Sequence, residues 1–447
     1  MRQVLRTLPD RLSAPVDIAA LVAFRLGFGA VMVWEAWRFL SGGKVDRYFI
    51  EPTFFFKYLG FGWVEPWPGG WMYFHFYVLG ALGLCIALGL FYRLCIALFA
   101  VGYTYFFLLD QAQYQNHYYL ICLVSTLMIL VPAHRALSLD AQRRPDLRSS
   151  FAPAWSLWLL RAQVALVYFF GGVAKLNFDW LRGYPLREWL PGSDFYLPPL
   201  SDLLHEGWVA LLFSYSGLLI DLLAAPLLLW RPTRYWMLSV LLLFHFMNEQ
   251  LFSIGVFPVL ASALTLLFLP PDWPRRVFNW PHPGDQAPTF ARLPKPALAA
   301  LATYLALQTL LPLRHWLYPG NVSWTEEGHR YAWHMKLRDK DCTATFELVT
   351  PNESWDVEPL DYLTYRQARK MPSRPYMSVQ FARHLAAEAR AAGYSQVKVH
   401  AHIDCSLNGR HEFPLIDPKV DLSQQHYGMG PSAWILPLPE SEPGELY

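Results

Sequence analysis

The sequence predicts a polytopic all-α membrane bundle of about nine transmembrane helices, with a small C-terminal α+β domain on the non-cytosolic side. Three observations lead there. The 447-residue chain is 54% hydrophobic and only 16% charged, whereas soluble domains carry about a quarter charged residues. Nine apolar stretches, each close to the ~20 residues that cross a bilayer, fall near 16–38, 71–92, 94–110, 117–133, 155–175, 208–230, 234–252, 254–270 and 297–316. Lys and Arg then alternate between dense and sparse loops from one stretch to the next. The lipid bilayer is therefore the first partner, and a net charge of +2 gives no reason to expect nucleic acid.

Residues 1–15 are polar and hold Arg2, Arg6 and Arg11. The apolar run after them is too long for a signal-peptide core and no small-residue cleavage site is evident, so it reads as a retained first helix. A cytosolic N-terminus puts Arg93, then Arg135, Arg143, Arg144 and Arg148, then Arg231 and Arg234, then Arg275, Arg276, Arg292 and Lys295 on the cytosolic side. Opposite loops hold Lys44, Arg47 and Lys57, and then Arg182 and Arg187. The positive-inside rule is obeyed throughout. Everything after about Tyr318 falls outside: periplasmic or extracellular, or lumenal in a eukaryote. Residues 1–317 form the bundle, 318–436 the outer domain, and 437–447 a proline-rich acidic tail expected to be disordered.

In the outer domain, Cys342 to Leu348 alternates with period two and predicts a strand, as does the stretch from Val397 to Ile403. Tyr376 to Ala392 places Met377, Phe381, Leu385 and Ala389 on one helical face and ends at Gly393. Cys85, Cys95 and Cys122 lie in apolar helices as packing residues. Cys342 and Cys405 are the two cysteines outside the bundle; they are either free or bonded to each other. His400 and His402 share a strand face, but no third ligand accompanies them, and no metal is expected.

Asp110, Asn116, His117, Lys175, His245, Asn248 and Glu249 come from four different spans, and all fall toward the outer end. Polar groups in hydrocarbon cost a few kcal/mol each and usually face a shared cavity. Lys175 ends an apolar run and is either a snorkelling anchor or a buried amine kept neutral for use as a base. Gly171 and Gly172 before it let a backbone or a flat ligand come close. His245, Asn248, Glu249 and Gln250 put four polar side chains into six residues of one span.

The residues from Phe24 to Gly29, Leu79 to Leu84, Leu88 to Arg93 and Phe107 to Asp110 belong to an ordered set of motifs. Asn116-His117, Gly172 to Leu176, Asp179-Trp180, Gly183-Tyr184, the His245–Phe257 block and Ile416 to Asp421 continue it. Together they resemble the vitamin K-dependent γ-carboxylase family, whose membrane part is also called the horizontally transferred transmembrane domain. The resemblance implies an enzyme that oxidises a reduced naphthoquinone, of the vitamin K hydroquinone or menaquinol type, with O2. It implies that the energy drives removal of a γ-proton from peptide glutamate, that CO2 adds there, and that the quinol leaves as its 2,3-epoxide. A γ-proton is too weakly acidic for any side chain, so a strong base has to be generated in a dry site.

By the same resemblance Lys175 is the initiating base and His117 a second catalytic residue, with Asn116, Gly171, Gly172, His245, Asn248 and Gln250 around the quinol. Trp324, His329, Tyr331, Trp333, Arg338 and Lys340 fall on the segment that addresses the substrate glutamate. A Glu-containing secreted peptide and a quinone or epoxide reductase are the implied partners. Two departures stand out. Ala174 replaces the first lysine of the family's usual pair. Aligned on Tyr331-Ala332-Trp333, His329 stands where a tyrosine is typical and Arg338 where a histidine is typical, while Lys340 keeps the charge of the family's arginine. These changes motivate a rival reading, a quinol epoxidase that carboxylates nothing. A transporter or proton relay using Asp110, His117, Lys175 and Glu249 is a rival of another class, although no broken inverted repeat is visible.

Overall fold

The computed structural model describes residues 7–192, 200–252, 254–281, 287–426, 428–440 and 443. Helices form at all nine apolar stretches: α1 (Ala19–Ser41), α2 (Trp71–Leu88), α3 (Tyr92–Leu108), α4 (Asn116–Leu130) and α5 (Ala154–Ala174). They continue as α6 (Gly207–Leu229), α7 (Arg234–Phe252), α8 (Phe257–Thr265) and α9 (Lys295–Leu313). Five of them, α1, α2, α5, α6 and α9 with the turn after it, are long and apolar enough to cross a membrane by length and composition. The helices α3 and α4 are shorter. The polar block from His245 to Gln250 lowers the hydropathy of α7.

The eighth stretch departs from the expectation of a full span. Gly255, with φ +86°, turns the chain after α7, and α8 with its 3-10 extension runs only from Phe257 to Phe268. At about 1.5 Å per residue that is roughly 18 Å, short of the ~30 Å hydrocarbon layer. The first span also starts later than expected. Residues Pro15–Asp17 form strand β1, paired antiparallel with β2 (Phe151–Pro153). Asp17 accepts from the Ala19 N–H at 2.8 Å and pairs with Arg275 Nε at 2.7 Å, which fixes the helix start at Ala19, inside the apolar stretch.

The helices α1 and α2 pack through backbone. A Cβ on Gly29 would lie 2.5 Å from the Ala87 nitrogen, so only glycine permits this crossing.

The outer domain is a four-stranded antiparallel sheet in the order β4-β3-β5-β6, with β3 Lys340–Val349, β4 Ser354–Val357, β5 Lys398–Leu407 and β6 Phe413–Pro414. Helix α10 (Pro375–Ala391) buries Met377, Phe381, Leu385 and Ala389 against Phe346, Val399 and Ile403. The burial of each large side chain is worth about 2 kcal/mol. Cys342 stands opposite Cys405 in the β3–β5 register, and the two are bonded as a disulfide. His400 Nδ1 lies 3.0 Å from the Pro418 carbonyl, and His402 Nε2 lies 3.8 Å from Glu347. Among the described residues no three His, Cys, Asp or Glu side chains are grouped to hold a metal. Leu438 packs on the domain core; most of the tail expected to be disordered lies outside the described residues.

Two buried carboxylates tie the domain to the bundle. Asp179 receives both guanidinium nitrogens of Arg410, at 2.7 and 2.8 Å, and the Asn408 amide at 2.6 Å. Asp110 accepts from the Ala112 N–H at 2.8 Å and from Gln367 at 3.1 Å. It therefore serves this joint.

Candidate active site: two adjoining cavities

Lys175 follows the last residue of α5 and is 5% exposed. Its Nζ donates to Asp221 Oδ2 at 2.6 Å and to the Gly171 carbonyl at 3.2 Å, and lies 5.2 Å from the Trp180 ring. The sequence reading of a solitary amine therefore gives way to a buried Lys–Asp pair. Asp221 was overlooked although its signal was plain, a carboxylate in the middle of an apolar span. It is the fifteenth of the 23 residues of α6, so the amine lies level with the middle of that helix. Close packing makes this geometry: a Cβ on Gly172 would lie 2.7 Å from the Leu222 side chain and 2.9 Å from its nitrogen. Gly172 thus admits the α6 backbone, Gly171 leaves room for the Asp221 carboxylate and the Met335 side chain, and neither lines the cavity.

The pair stands in the wall of an apolar cavity. His245 and Asn248 also line it, whereas Gln250 is exposed and outside its wall. The hydrogen-bond order around His245 can be followed proton by proton. Thr265 Oγ1 donates to the Ala261 carbonyl at 2.8 Å, so the Tyr168 hydroxyl, 3.1 Å away, donates to Thr265. The His245 Nε2–H must then donate to Tyr168, at 2.7 Å. That leaves Nδ1 of the uncharged ring as an acceptor, buried and without a hydrogen-bond partner among the described residues. A hydroquinone, apolar and carrying two hydroxyl donors, fits this donor-hungry wall.

A second cavity is polar and shares Ile254, Phe257, Met335 and Lys336 with the first. The Phe257 ring stands between two histidines, 6.2 Å from that of His117 and 5.9 Å from that of His245. His117 and Asn116 line the polar side, with the Asn116 amide committed to the His334 carbonyl at 2.9 Å. Of the expected substrate residues, His329, Arg338 and Lys340 line this cavity. Arg338 is held by Glu326 and His329. Lys340 Nζ donates to the carbonyls of Trp324 at 2.5 Å and Ser373 at 3.0 Å. Burial, reinforced by Arg338 and Arg374, brings its ammonium down to about 7 against the pull of Glu326.

The other three expected substrate residues pack instead. Trp324 is fully buried, its Nε1 donating to the Leu436 carbonyl at 2.8 Å. Trp333 lies against Tyr119, with rings 5.2 Å apart, and the Tyr331 N–H donates to the Tyr114 hydroxyl at 2.8 Å. Their aromatic bulk fills the seam between bundle and outer domain. Tyr331, Trp333 and Lys336 have φ of +63°, +60° and +52°, a left-handed region that non-glycine residues occupy at a cost of order 1–3 kcal/mol each.

Sequence reasoning missed His334, which lines the polar cavity with neither ring nitrogen bonded among the described residues. Burial, then the neighbouring His315 and Arg338, push its pKa down to about 3, so at neutral pH it is an uncharged imidazole.

Comparison with known families agrees with this architecture. Residues 13–273 match the HTTM domain, and residues 294–441 match the lumenal domain of vitamin K-dependent gamma-carboxylase. The chain belongs to the vitamin K-dependent gamma-carboxylase family. It is a multi-pass membrane protein whose lumenal-type C-terminal domain carries a disulfide. No solved structure matches it.

Proposed function

We propose that this protein is a membrane enzyme that oxygenates a reduced naphthoquinone to its epoxide and couples that reaction to γ-carboxylation of glutamate in a peptide. The observation that carries the reading is the buried Lys175–Asp221 pair in a dry cavity that adjoins, across Phe257, a cationic cavity lined by His117. The same reading takes the nine helices as anchored with a cytosolic N-terminus and an outer C-terminal domain, divided near 317.

When bound, the hydroquinone supplies the electrons for O2 reduction and with them a base strong enough for a γ-proton. The chain's part is to take the first proton and to keep water out. The Lys175–Asp221 pair is neutral as a whole. Accepting a proton from a ligand hydroxyl leaves it with one positive charge beside the oxyanion formed, where the low dielectric strengthens their attraction severalfold over water. His245 Nδ1 holds the second hydroxyl. On the other side of Phe257, His117 faces the glutamate, whose carboxylate the Lys340 ammonium and its cationic neighbours attract.

The test is to incubate membranes containing the protein with reduced vitamin K, O2, labelled CO2 and a glutamate peptide. Epoxide and fixed CO2 are both expected, and both vanish in Lys175→Ala. Wild-type turnover in that variant would refute the assignment. A second reading, oxygenation without carboxylation, draws on the engagement of Arg338 by Glu326 and His329, which leaves it less free for a substrate. Epoxide without fixed CO2 would establish that one.

A further inference from the structure

A third cavity opens beside the polar one, at the seam between the loop after α1 and the outer domain. Its walls include Arg47, Tyr48, Glu51, Arg366, Arg369 and Lys370; the last two also line the polar cavity. The short helix Tyr365–Lys370 separates the two spaces. Arg366, Arg369 and Lys370 stand at i, i+3 and i+4 and so share one face of it, where like charges repel. Buried Gln367 pins the helix, donating to the Phe54 carbonyl at 2.7 Å and to Asp110 at 3.1 Å. Arg366 is aimed by Gln113, at 2.6 Å, and its guanidinium lies 5.0 Å from the Tyr48 ring. Among the described residues, none of Arg47, Arg366, Arg369, Lys370 and Arg374 has a carboxylate within ion-pair distance. Burial and the neighbouring arginines Arg374, Arg366 and Arg369 bring the Lys370 ammonium down to about 8. Glu51 is the carboxylate in the lining of this cavity, set against four cations, and the cationic surface continues into the polar cavity, so the wall keeps an excess of positive charge suited to more than one negative charge.

We propose that the third cavity is a second carboxylate subsite: it holds an acidic side chain of the same peptide that places another acidic side chain in the polar cavity. The ligand class is therefore a peptide with repeated acidic residues, anchored at Arg47 and Arg366 while its neighbour is presented. This rests on the proposed function only for the identity of the presented residue as glutamate. A linked second contact raises affinity without any new contact in the first cavity.

The experiment titrates the full-length protein in neutral detergent with two peptides, one carrying a single Glu and one carrying two Glu a few residues apart. The di-acidic peptide is expected to bind about tenfold tighter or more. The Arg47→Gln/Arg366→Gln double variant is expected to erase that advantage and leave mono-acidic binding unchanged, and Arg47→Lys/Arg366→Lys to restore it. Thermal unfolding of each variant checks that it is folded. Equal affinities of the two peptides for the wild type, or an advantage that survives the double variant, overturn the proposal. So does loss of binding to vesicles of phosphatidylglycerol in the double variant without any change in peptide affinity, which would assign the cavity to lipid phosphate. Catalysis is scored separately: epoxide and fixed CO2 without a di-acidic advantage sink this subsite alone. An advantage dependent on Arg47 and Arg366 in a protein that makes no epoxide sinks the enzymatic reading alone.

Discussion

Lys175 Nζ and Asp221 Oδ2 lie 2.6 Å apart where the end of α5 meets the middle of α6, and both side chains are almost wholly buried. Breaking a buried pair by removing one partner costs about 3–5 kcal/mol, whereas replacing both with apolar groups of similar size is often neutral. Lys175→Met and Asp221→Asn are therefore each expected to lower the thermal unfolding temperature, and Lys175→Met/Asp221→Leu to recover it. Full stability in both single variants would show that the pair is not closed.

Asp221→Asn keeps the amine and removes the carboxylate that shares its protons. Epoxide formation is expected to fall about a hundredfold, the low end of what a positioned proton acceptor contributes. Measured epoxide turnover within a few-fold of wild type would leave Asp221 a structural role only.

Gly172→Ala forces a methyl group to within 2.7–2.9 Å of Leu222, one contact being with its backbone nitrogen. Overpacking of this kind costs about 1–3 kcal/mol, and here it separates α5 from α6 at the pair. Loss of epoxide formation is expected to exceed the loss in stability, as seen by comparing turnover with unfolding temperature. The conservative partner change Leu222→Ala is expected to relieve the clash in part.

An ammonium has three donors, and Lys340 spends two of them on the carbonyls of Trp324 and Ser373. With its pKa brought down to about 7, Lys340 is charged below that value and loses its charge as pH rises through it. Affinity for an acidic peptide is expected to be highest on the acid side and to fall toward pH 8. Lys340→Met is expected to flatten this profile. A profile that keeps the same step in the variant assigns the titration elsewhere.

Much of the bundle was legible because apolar length and Lys/Arg placement are local signals. The failures have physical causes. The start of α1 depends on a strand pairing of Pro15–Asp17 with residues more than 130 positions away, and the shortness of α8 depends on the turn at Gly255. Among the expected site residues, Lys175, His117, Asn116, His245, Asn248, His329, Arg338 and Lys340 stand in cavity walls. Trp324, Tyr331 and Trp333 show the limit: a motif marks that an aromatic is needed, but not whether it touches a ligand or seals a seam. Asp221 was legible on composition alone; its partner was not, since Lys175 reaches it across 46 residues.

The clasp of Arg410 and Asn408 on Asp179, four residues after Lys175, gives the Lys175 amine two landlords. Its helix belongs to the bundle, but the turn that carries Trp180 over it is gripped from the far end of the chain. A fragment cut between the two halves would retain every helix of the bundle and still leave that turn unheld, so the apolar cavity is a property of the whole chain.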